Sequence, residues 1–244
     1  MVPAFLVLTL RLSPFVPPPA GDPATLYRAR LVQAAPGRLL ELIDLEKSLA
    51  SSAADGGDEP PLAMRHSQGD RWDLLLLYPL GSFPAYFAAE RVAKREKWRE
   101  RERAALAREA DAVAWQEDVY VWGPPLARVR EAFAKAGFFH VEMFVALPGR
   151  VADLLRQRDM ENAYDKALGL PQNLVFARET GAAWDVFTVG CFRDLKHYAE
   201  SADLAPAAQD AAARAAGFDG AKAIGPYLRT LIREHHDTLA TSPW

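Results

Sequence analysis

Cysteine is almost absent from this sequence, which has 244 residues and a single cysteine, Cys191. No disulfide can therefore form within one chain. Cys191 ends an apolar run over residues 184–191, which is typical of a buried small hydrophobe rather than a nucleophile. Paired cysteines at zinc-ligand spacing are missing, and so is a Gly-x-Ser-x-Gly nucleophile elbow. The glycines within residues 217–220 lack the rest of a phosphate-binding loop.

An excess of positive charge is missing as well. The chain has 29 lysines and arginines against 32 aspartates and glutamates, a net charge of −3. This balance argues against a nucleic acid or an acidic membrane as partner. Residues 88–114 are rich in arginine, but glutamates alternate with them, as on a solvated helix face. The apolar run over residues 2–10 is far shorter than the roughly 20 residues that span a bilayer, so we expect no integral membrane segment.

Residues 1–24 differ from the rest of the chain, because an apolar run is followed by Arg11 and a proline-rich stretch. Two interpretations are open. The segment is a disordered, proline-stiffened tail, or it is the remnant of an export signal that lacks the usual positive residues at its start. Export would make the protein periplasmic or secreted; otherwise we expect it in the cytoplasm.

The remaining chain repeats itself at a constant offset of 112 residues. The tripeptide at residues 36–38 recurs at residues 148–150, without any gap in the register between copies. Further matches at the same offset are Leu42 with Leu154, Gly69 with Gly181, Trp72 with Trp184, Asp73 with Asp185, and Tyr86 with Tyr198. This period is too long for a solenoid and predicts a duplicated small domain. We expect one repeat over residues 25–125, a connecting helix over residues 126–136, and a second repeat over residues 137–244.

Each repeat predicts the same order of elements. A strand with period-two alternation (27–32 and 139–144) precedes a Pro-Gly-Arg turn and an amphipathic helix. A hairpin, more helix and a last strand follow, which together make the split βαβ or ferredoxin-like unit. The repeated Trp-Asp pair is expected to be structural, with the aspartate accepting hydrogen bonds from backbone amides of a turn. The predicted fold class is α+β, with two tandem halves whose antiparallel sheets pack face to face as an intramolecular barrel.

In this element order the chain resembles the dimeric α+β barrel superfamily, in a fused tandem form. That superfamily includes antibiotic-biosynthesis monooxygenase-like, EthD-like, NIPSNAP-like and chlorite dismutase-like families. The resemblance covers residues 25 to about 240 and rests on topology and duplication, so no family's site residues transfer to this chain. It implies oxidative or cofactor-independent chemistry on a small organic molecule, or haem binding through the chlorite dismutase-like branch.

Alternation along the first strand of each repeat assigns side chains to two faces. We expect Val141, Met143 and Val145 to face the helices, and His140, Glu142 and Phe144 to face the barrel interior with Arg28, Arg30 and Val32. Buried charges must be paired, which predicts an ion pair between Glu142 and one of the two arginines. The alternative is a polar ligand pocket inside the barrel. The residues expected to bind a ligand are Arg28, Arg30, Phe144 and Arg178.

Four of the five histidines lie in the second repeat: His140, His197, His235 and His236. His140, Glu142 and one of the adjacent pair His235 and His236 are the candidates for acid–base catalysis. The same residues could hold a metal ion, although their spacing matches no known signature. A haem would need one axial ligand, for which His197 or His235 is the candidate. We expect no cofactor, with a metal ion and haem as the alternatives.

The sequence thus predicts a small-molecule enzyme or binding protein with its polar pocket inside the barrel. The alternatives are a non-catalytic interaction or stress-related module with an ion-paired interior, and a haem-binding protein. The expected partner is a small organic molecule, and a homo-oligomer is compatible with the composition.

Overall fold

The computed structural model describes residues 24–244, so the expected tail or export signal lies, apart from Ala24, outside the described residues. Eight antiparallel strands close into one barrel, and the helices pack against its outer surface. The predicted α+β fold with an intramolecular barrel is confirmed. Within residues 24–244, no helix has the length and apolar character needed to cross a bilayer.

The first half contains four strands and four helices. A 3-10 turn over Ala53–Gly56 follows the first helix. The element bounds are β1 Thr25–Ala34, α1 Leu39–Ser52, β2 Leu62–Gln68, β3 Leu74–Gly81, α2 Phe83–Tyr86, α3 Ala89–Arg101, α4 Arg103–Ala112 and β4 Val113–Gly123. The charged segment predicted as helix over residues 88–114 is thus two helices, separated at Glu102.

The second half repeats this order after a connecting helix. The element bounds are α5 Leu126–Ala134, β5 Phe138–Ala146, α6 Val151–Ala167, β6 Leu174–Thr180, β7 Val186–Phe192, α7 Leu195–Ala199, α8 Pro206–Ala215, α9 Ile224–Arg229 and β8 Ile232–Thr241. Short 3-10 turns at Glu200–Asp203 and Ala221–Ala223 interrupt the alanine-rich helical segment. The last strands, β4 and β8, are longer than the sequence predicted, and both run beside the first strand of their own half.

The strand order shows two ferredoxin-like sheets joined edge to edge. The first half contributes β4-β1-β3-β2 and the second half β8-β5-β7-β6. Strand β2 pairs with β8, and β6 pairs with β4, so each edge strand of one half is completed by the other half. Neither half therefore leaves an unpaired edge, the feature that makes open sheets prone to association.

Equivalent backbone contacts recur in the two halves. Asp73 Oδ2 accepts a hydrogen bond from the amide of Ala34 at 2.8 Å, and Asp185 Oδ2 accepts one from Ala146 at 2.9 Å. Both donors are the last residue of their strand, where the ladder of backbone hydrogen bonds ends. The predicted structural role of the repeated aspartates is therefore confirmed. The repeated tryptophans Trp72 and Trp184 are both buried.

The barrel interior is apolar, and the face assignment made from the sequence is wrong. One core cluster spans both halves and contains Tyr27, Ala29 and Leu31 of β1 with Phe139, Val141, Met143 and Val145 of β5. His140, Glu142, Phe144, Arg28, Arg30 and Val32 therefore point outward, towards the helices. Both faces of this sheet are buried, so alternation alone does not say which is inside. The interior takes the fully apolar set because no helix there can supply a counter-charge.

Two further core clusters lie between sheet and helices. One packs Val32, Leu74 and Leu76 against the apolar side of α1. The other packs Phe144 and Val186 against Leu154 of α6 and residues of α9 and β8. The polar residues of the outer face therefore lie in an otherwise well-packed layer.

We predict that Gly69→Ala destabilises the protein by about 2 kcal/mol or more. Gly69 has a φ of +120°, and an added Cβ would lie 2.1 Å from the carbonyl oxygen of Asp237. Urea denaturation of the purified variant measures the effect. Gly225→Ala is the matched control, because nothing lies within 4 Å of the Cβ position and Gly225 belongs to α9. Equal stability of the two variants would contradict the proposed close approach.

Candidate functional site

The polar residues singled out in the sequence lie in two separate places on the outer face, one in each half. Arg28 and Arg30 of β1 lie beneath α1, α3 and α4, whereas His140 and Glu142 of β5 lie beneath α6 and α7. The expected ion pair between Glu142 and Arg28 or Arg30 does not form. Arg30 pairs with Glu46 and Glu109, and Glu142 pairs with Arg158. The pocket expected inside the barrel is thus replaced by two pockets outside it.

The larger pocket, here called the first-half cavity, has a volume of about 400 Å³. Its floor is the outer face of β1, β3 and β4, and its walls come from α1, α3 and α4. The polar lining includes Arg28, Arg30, Glu46, Tyr78, Arg95, Glu109, Gln116 and Asp118. The apolar and aromatic lining includes Leu49, Ala53, Pro79, Leu80, Tyr86, Trp98 and Leu106.

Arg28 is a weakly engaged cation of the first-half cavity. Its guanidinium carbon lies 4.3 Å from the ring centroid of Tyr78, an arrangement that a cation–π attraction favours. Its Nε is 3.6 Å from Asp118 Oδ1, an ion pair too long to be a hydrogen bond. Within residues 24–244, neither of these two buried atoms has a hydrogen-bond partner. A buried donor left in this state costs about 1–3 kcal/mol, so the site favours a ligand that accepts from it.

Arg30, in contrast, is fully engaged. It donates to Glu46 Oε1 at 2.9 Å, to Glu109 Oε1 at 2.7 Å and to the side-chain oxygen of Gln116. Glu46 Oε2 also accepts from the hydroxyl of Tyr78 at 3.3 Å. Two buried carboxylates thus share one guanidinium, and desolvation outweighs the attraction of Arg30. Burial raises the pKa of Glu46 to about 7, with the charge of Glu109 acting in the same direction.

The second-half cluster consists of His140, Glu142, His235 and Asp237. Glu142 is buried; its Oε1 lies 3.2 Å from His235 Nε2, and its Oε2 accepts from Arg158 at 3.3 Å. The hydroxyl of Thr188 donates to the same Oε2 at 3.0 Å. Burial by itself would raise the pKa of Glu142, but the hydrogen bond from His235 and the charge of Arg158 hold that pKa at about 2. Glu142 is therefore an anion at neutral pH and a poor general base.

His140 pairs with Asp237 at the mouth of a smaller cavity of about 200 Å³. The two side chains approach to 3.0 Å between Nε2 and Oδ1, and the ring of Tyr198 lies 5.3 Å from the imidazole. Although burial acts to lower it, the pKa of His140 is raised, because Asp237 and Glu142 favour the charged ring. Glu161 and Asp165 also line this cavity, and burial raises the pKa of Asp165 to about 7.

The two polar sites occupy equivalent positions with different charges. Arg30 lies opposite Asp118 in the sheet register, and Glu142, 112 residues later, lies opposite Asp237. On the covering helix, Glu46 of α1 corresponds to Arg158 of α6 at the same offset. In the first half the strand carries the arginine, Arg30, and the helix carries the glutamate, Glu46. In the second half the two charges are exchanged, with Glu142 on the strand and Arg158 on the helix. The fold requires a neutralised charge at this place, but not a particular sign.

The other predicted residues lie outside the two sites, except that Phe144 packs on His235 of the second-half cluster. Arg178 pairs with Asp185 at the β6–β7 hairpin, and Phe144 is buried with its ring stacked 4.7 Å from His235. His236 is exposed on the opposite side of β8 and lies 3.5 Å from Asp70. His197 accepts from the backbone of Arg193. Burial raises the pKa of the Cys191 thiol to about 12, which agrees with its predicted role as a small hydrophobe.

Two central residues, Glu46 and Arg158, were missed in the sequence. Glu46 lies on the buried side of α1 with Leu42, Leu45 and Leu49. A charged residue on the apolar side of a helix must be paired when it is buried, so this pattern could have predicted an ion pair at Glu46. Arg158 was signalled in the same way, since the 112-residue offset places it at the position of Glu46 and it follows the buried Leu154 by one turn.

Several solved structures share this fold. One, an anthrone oxidase-like protein, is 13% identical, with a TM-score of 0.57 over 90% of this chain and 91% of that one. Another, from Lactobacillus acidophilus and provisionally described as a monooxygenase, is 8% identical over 91% of this chain and 95% of that one, with a TM-score of 0.48. A haem-binding protein from Thermus thermophilus is 11% identical over 90% and 92% of the chains, with a TM-score of 0.43. No protein-family model and no curated protein matches the sequence.

The likeness to the anthrone oxidase-like protein and the closed eight-stranded barrel show the α+β barrel fold that the order of elements predicted. In this chain, both halves of the barrel belong to one polypeptide. At identities this low, the similarity shows the fold and says nothing about the chemistry.

A haem does not fit the residues that the sequence offered as axial ligands. No histidine lines the first-half cavity among the described residues. His235 is buried, with Nε2 on Glu142 and Nδ1 3.5 Å from Asp237, and His197 is bound to the backbone. The cavity beside His140, at about 200 Å³, is below the range of about 300–1,000 Å³ of ligand pockets.

We predict that the pH dependence of stability differs between the wild type and Glu46→Gln. A raised pKa means that the native protein keeps a proton that the unfolded chain releases, so stability is lost as the pH rises from about 4.5 to about 7. The wild type should lose up to about 3 kcal/mol over this window relative to Glu46→Gln. Urea denaturation at a series of pH values measures both proteins, with Glu90→Gln on the exposed side of α3 as control. Parallel profiles of the wild type and Glu46→Gln would refute the assignment.

Proposed function

We propose that the protein is a small-molecule enzyme or binding protein whose ligand is an organic anion with an apolar body, bound in the first-half cavity. The observation that carries this proposal is Arg28, a half-buried cation of the cavity lining whose Nε has no hydrogen-bond partner among the described residues. Its ion pair with Asp118 is long, so a carboxylate or phenolate of a ligand would gain a charge-assisted hydrogen bond from its guanidinium.

The rest of the first-half cavity suits the apolar body of such a ligand. Its volume of about 400 Å³ lies within the range of small-molecule pockets. Trp98 and Tyr86 supply aromatic surface, and Leu49 and Leu106 supply aliphatic surface. Arg95 is unavailable for the anion, because its guanidinium lies over the ring of Tyr86 at 3.7 Å and pairs with Asp58. The anionic end should therefore lie towards Arg28, with the apolar part towards α3.

Glu46 gives this cavity a group that exchanges protons near neutral pH. It lines the cavity, and its hydrogen bond with Tyr78 connects it to the aromatic ring on which Arg28 stacks. A carboxyl group in this state can accept a proton from an acidic carbon or hydroxyl of a bound ligand and return it afterwards. The reaction class that we propose is therefore proton transfer on the bound anion, with Arg28 holding the negative charge that develops.

An ion-paired structural module is the second candidate. The observation in its favour is Arg30, each of whose three nitrogens already donates to Glu46, Glu109 or Gln116. Under this alternative, the polar layer serves only to stabilise the packing of α1 and α4 on the sheet.

We predict that 2-naphthoate binds the purified protein and that Arg28→Gln weakens its affinity at least about tenfold. A lost charge-assisted hydrogen bond is worth about 1.5–3 kcal/mol. Isothermal titration calorimetry measures the binding, and 2-naphthamide tests the need for the negative charge. Arg103→Gln is the matched control, because it removes an exposed arginine of α4 that pairs with Glu100 outside the cavity.

The same titration separates the two candidates. Binding of 2-naphthoate that is lost in Arg28→Gln and kept in Arg103→Gln supports a ligand site. If 2-naphthoate does not bind, or binds all three proteins equally, the ion-paired structural module is the better description. Leu49→Trp, which fills the cavity from α1, should abolish binding while keeping the charges.

A further inference from the structure

The second-half cluster has features that the proposed ligand site does not use. It combines two imidazoles and two carboxylates on neighbouring strands, with Glu142 of β5 directly opposite Asp237 of β8. Candidate ligand atoms of His140, Glu142 and Asp237 all lie within 4.8 Å of one another. His235 lies beside this group, with its Nε2 3.2 Å from Glu142 Oε1. Imidazole and carboxylate together form the ligand type of zinc and related first-row ions.

We propose that His140, Glu142 and Asp237 bind one divalent transition-metal ion, with zinc as the best match. Ligand bonds of about 2.0–2.2 Å in a tetrahedron separate the ligand atoms by roughly 3.4 Å. The approach of 3.0 Å between His140 Nε2 and Asp237 Oδ1 is close to this value, and one ligand atom from each of the three residues lies within 4.8 Å of the other two. The three side chains are therefore already gathered around one point.

The surroundings of Glu142 orient it for this role. Arg158 and Thr188 both donate to its Oε2, which leaves Oε1 directed towards His235. Outer partners that hold a ligating carboxylate in this way are the usual support of a metal site. They fix the carboxylate before any ion is bound.

The positive charge of Arg158 does not prevent a cation from binding in this cluster. Arg158 also donates to Glu161 and to the side-chain oxygen of Gln157. With Arg158 matched by Glu161, the carboxylates of Glu142 and Asp237 are left to face a cation. Their combined charge is that which a divalent cation neutralises, and the buried position of Glu142 makes such neutralisation favourable.

The first half supplies an internal comparison. The positions equivalent to His140, Glu142 and His235 hold Arg28, Arg30 and Gln116, while the aspartate is present in both halves as Asp118 and Asp237. Arginine and a glutamine bound to it offer no ligand atom to a cation. Only the second copy carries side chains with a metal-ligand atom at all four positions, so the fold itself does not require them.

The test is titration of the full chain, stripped with a chelator, with zinc chloride in isothermal titration calorimetry. We expect one zinc ion per chain at micromolar affinity or tighter, accompanied by a rise in melting temperature. His140→Ala and Asp237→Asn should each weaken binding at least about tenfold. Magnesium chloride should neither bind nor compete, because the imidazole ligand discriminates against it.

His236→Ala is the matched control, since this histidine is next to the proposed ligand Asp237 in the sequence but lies exposed on the other side of β8. It should leave zinc affinity unchanged. Unchanged affinity in His140→Ala and Asp237→Asn, or no zinc binding by the wild type, would overturn the proposal. Should a variant fail to fold, anomalous diffraction from zinc-treated wild-type crystals decides the question: a peak between His140 and Glu142 is expected, and a peak elsewhere contradicts it.

Discussion

Closure of the barrel is the constraint on which the rest of the structure depends. Because the two half-sheets complete each other through β2–β8 and β6–β4, their inner faces enclose one core shared by both halves. This core excludes charge, since its side chains meet only other apolar side chains. The charged residues Arg28, Arg30 and Glu142 of β1 and β5 therefore lie on the outer face, where the helices can supply counter-charges. The two polar sites exist because Glu46 and Arg158 reach down from α1 and α6.

Much of the fold could be predicted from the sequence, because the repeat shows each local pattern twice. Equivalent elements in the two halves could be located from the Pro-Gly-Arg turns, the paired glycines and the Trp-Asp pairs. The order of these elements then predicted the fold. The sequence did not show which face of each strand points into the barrel. Both faces carry buried side chains, so the alternation of residues 139–144 was real, but the assignment of inside and outside was inverted. Only the positions of helices α1 and α6 break this ambiguity.

The candidate site was predicted in part. His140, Glu142 and His235 do come together. His236, the sequence neighbour of His235, points to the opposite side of β8 because of the strand pleat and does not belong to the cluster. The partners of these residues were harder to find, because Arg158 and Glu161 belong to a helix and their contacts depend on how that helix lies on the sheet. Arg28 and Arg30 were expected to bind a ligand and do line the first-half cavity, but the place of that cavity outside the barrel was not predicted, since an empty volume is a property of packing and leaves no residue pattern.

The reversed ion pair has an evolutionary consequence. If an ancestral barrel was assembled from two identical chains, every substitution in it changed both sites at once, and a new charge at the position of Arg30 had to be tolerated twice. Fusion into a single polypeptide lifts that coupling. One copy can then keep the arginine on the strand and the carboxylate on the helix. The other copy can exchange these two charges and acquire histidines beside them. A repeated fold thereby gains two independent chemical environments without any change in its scaffold.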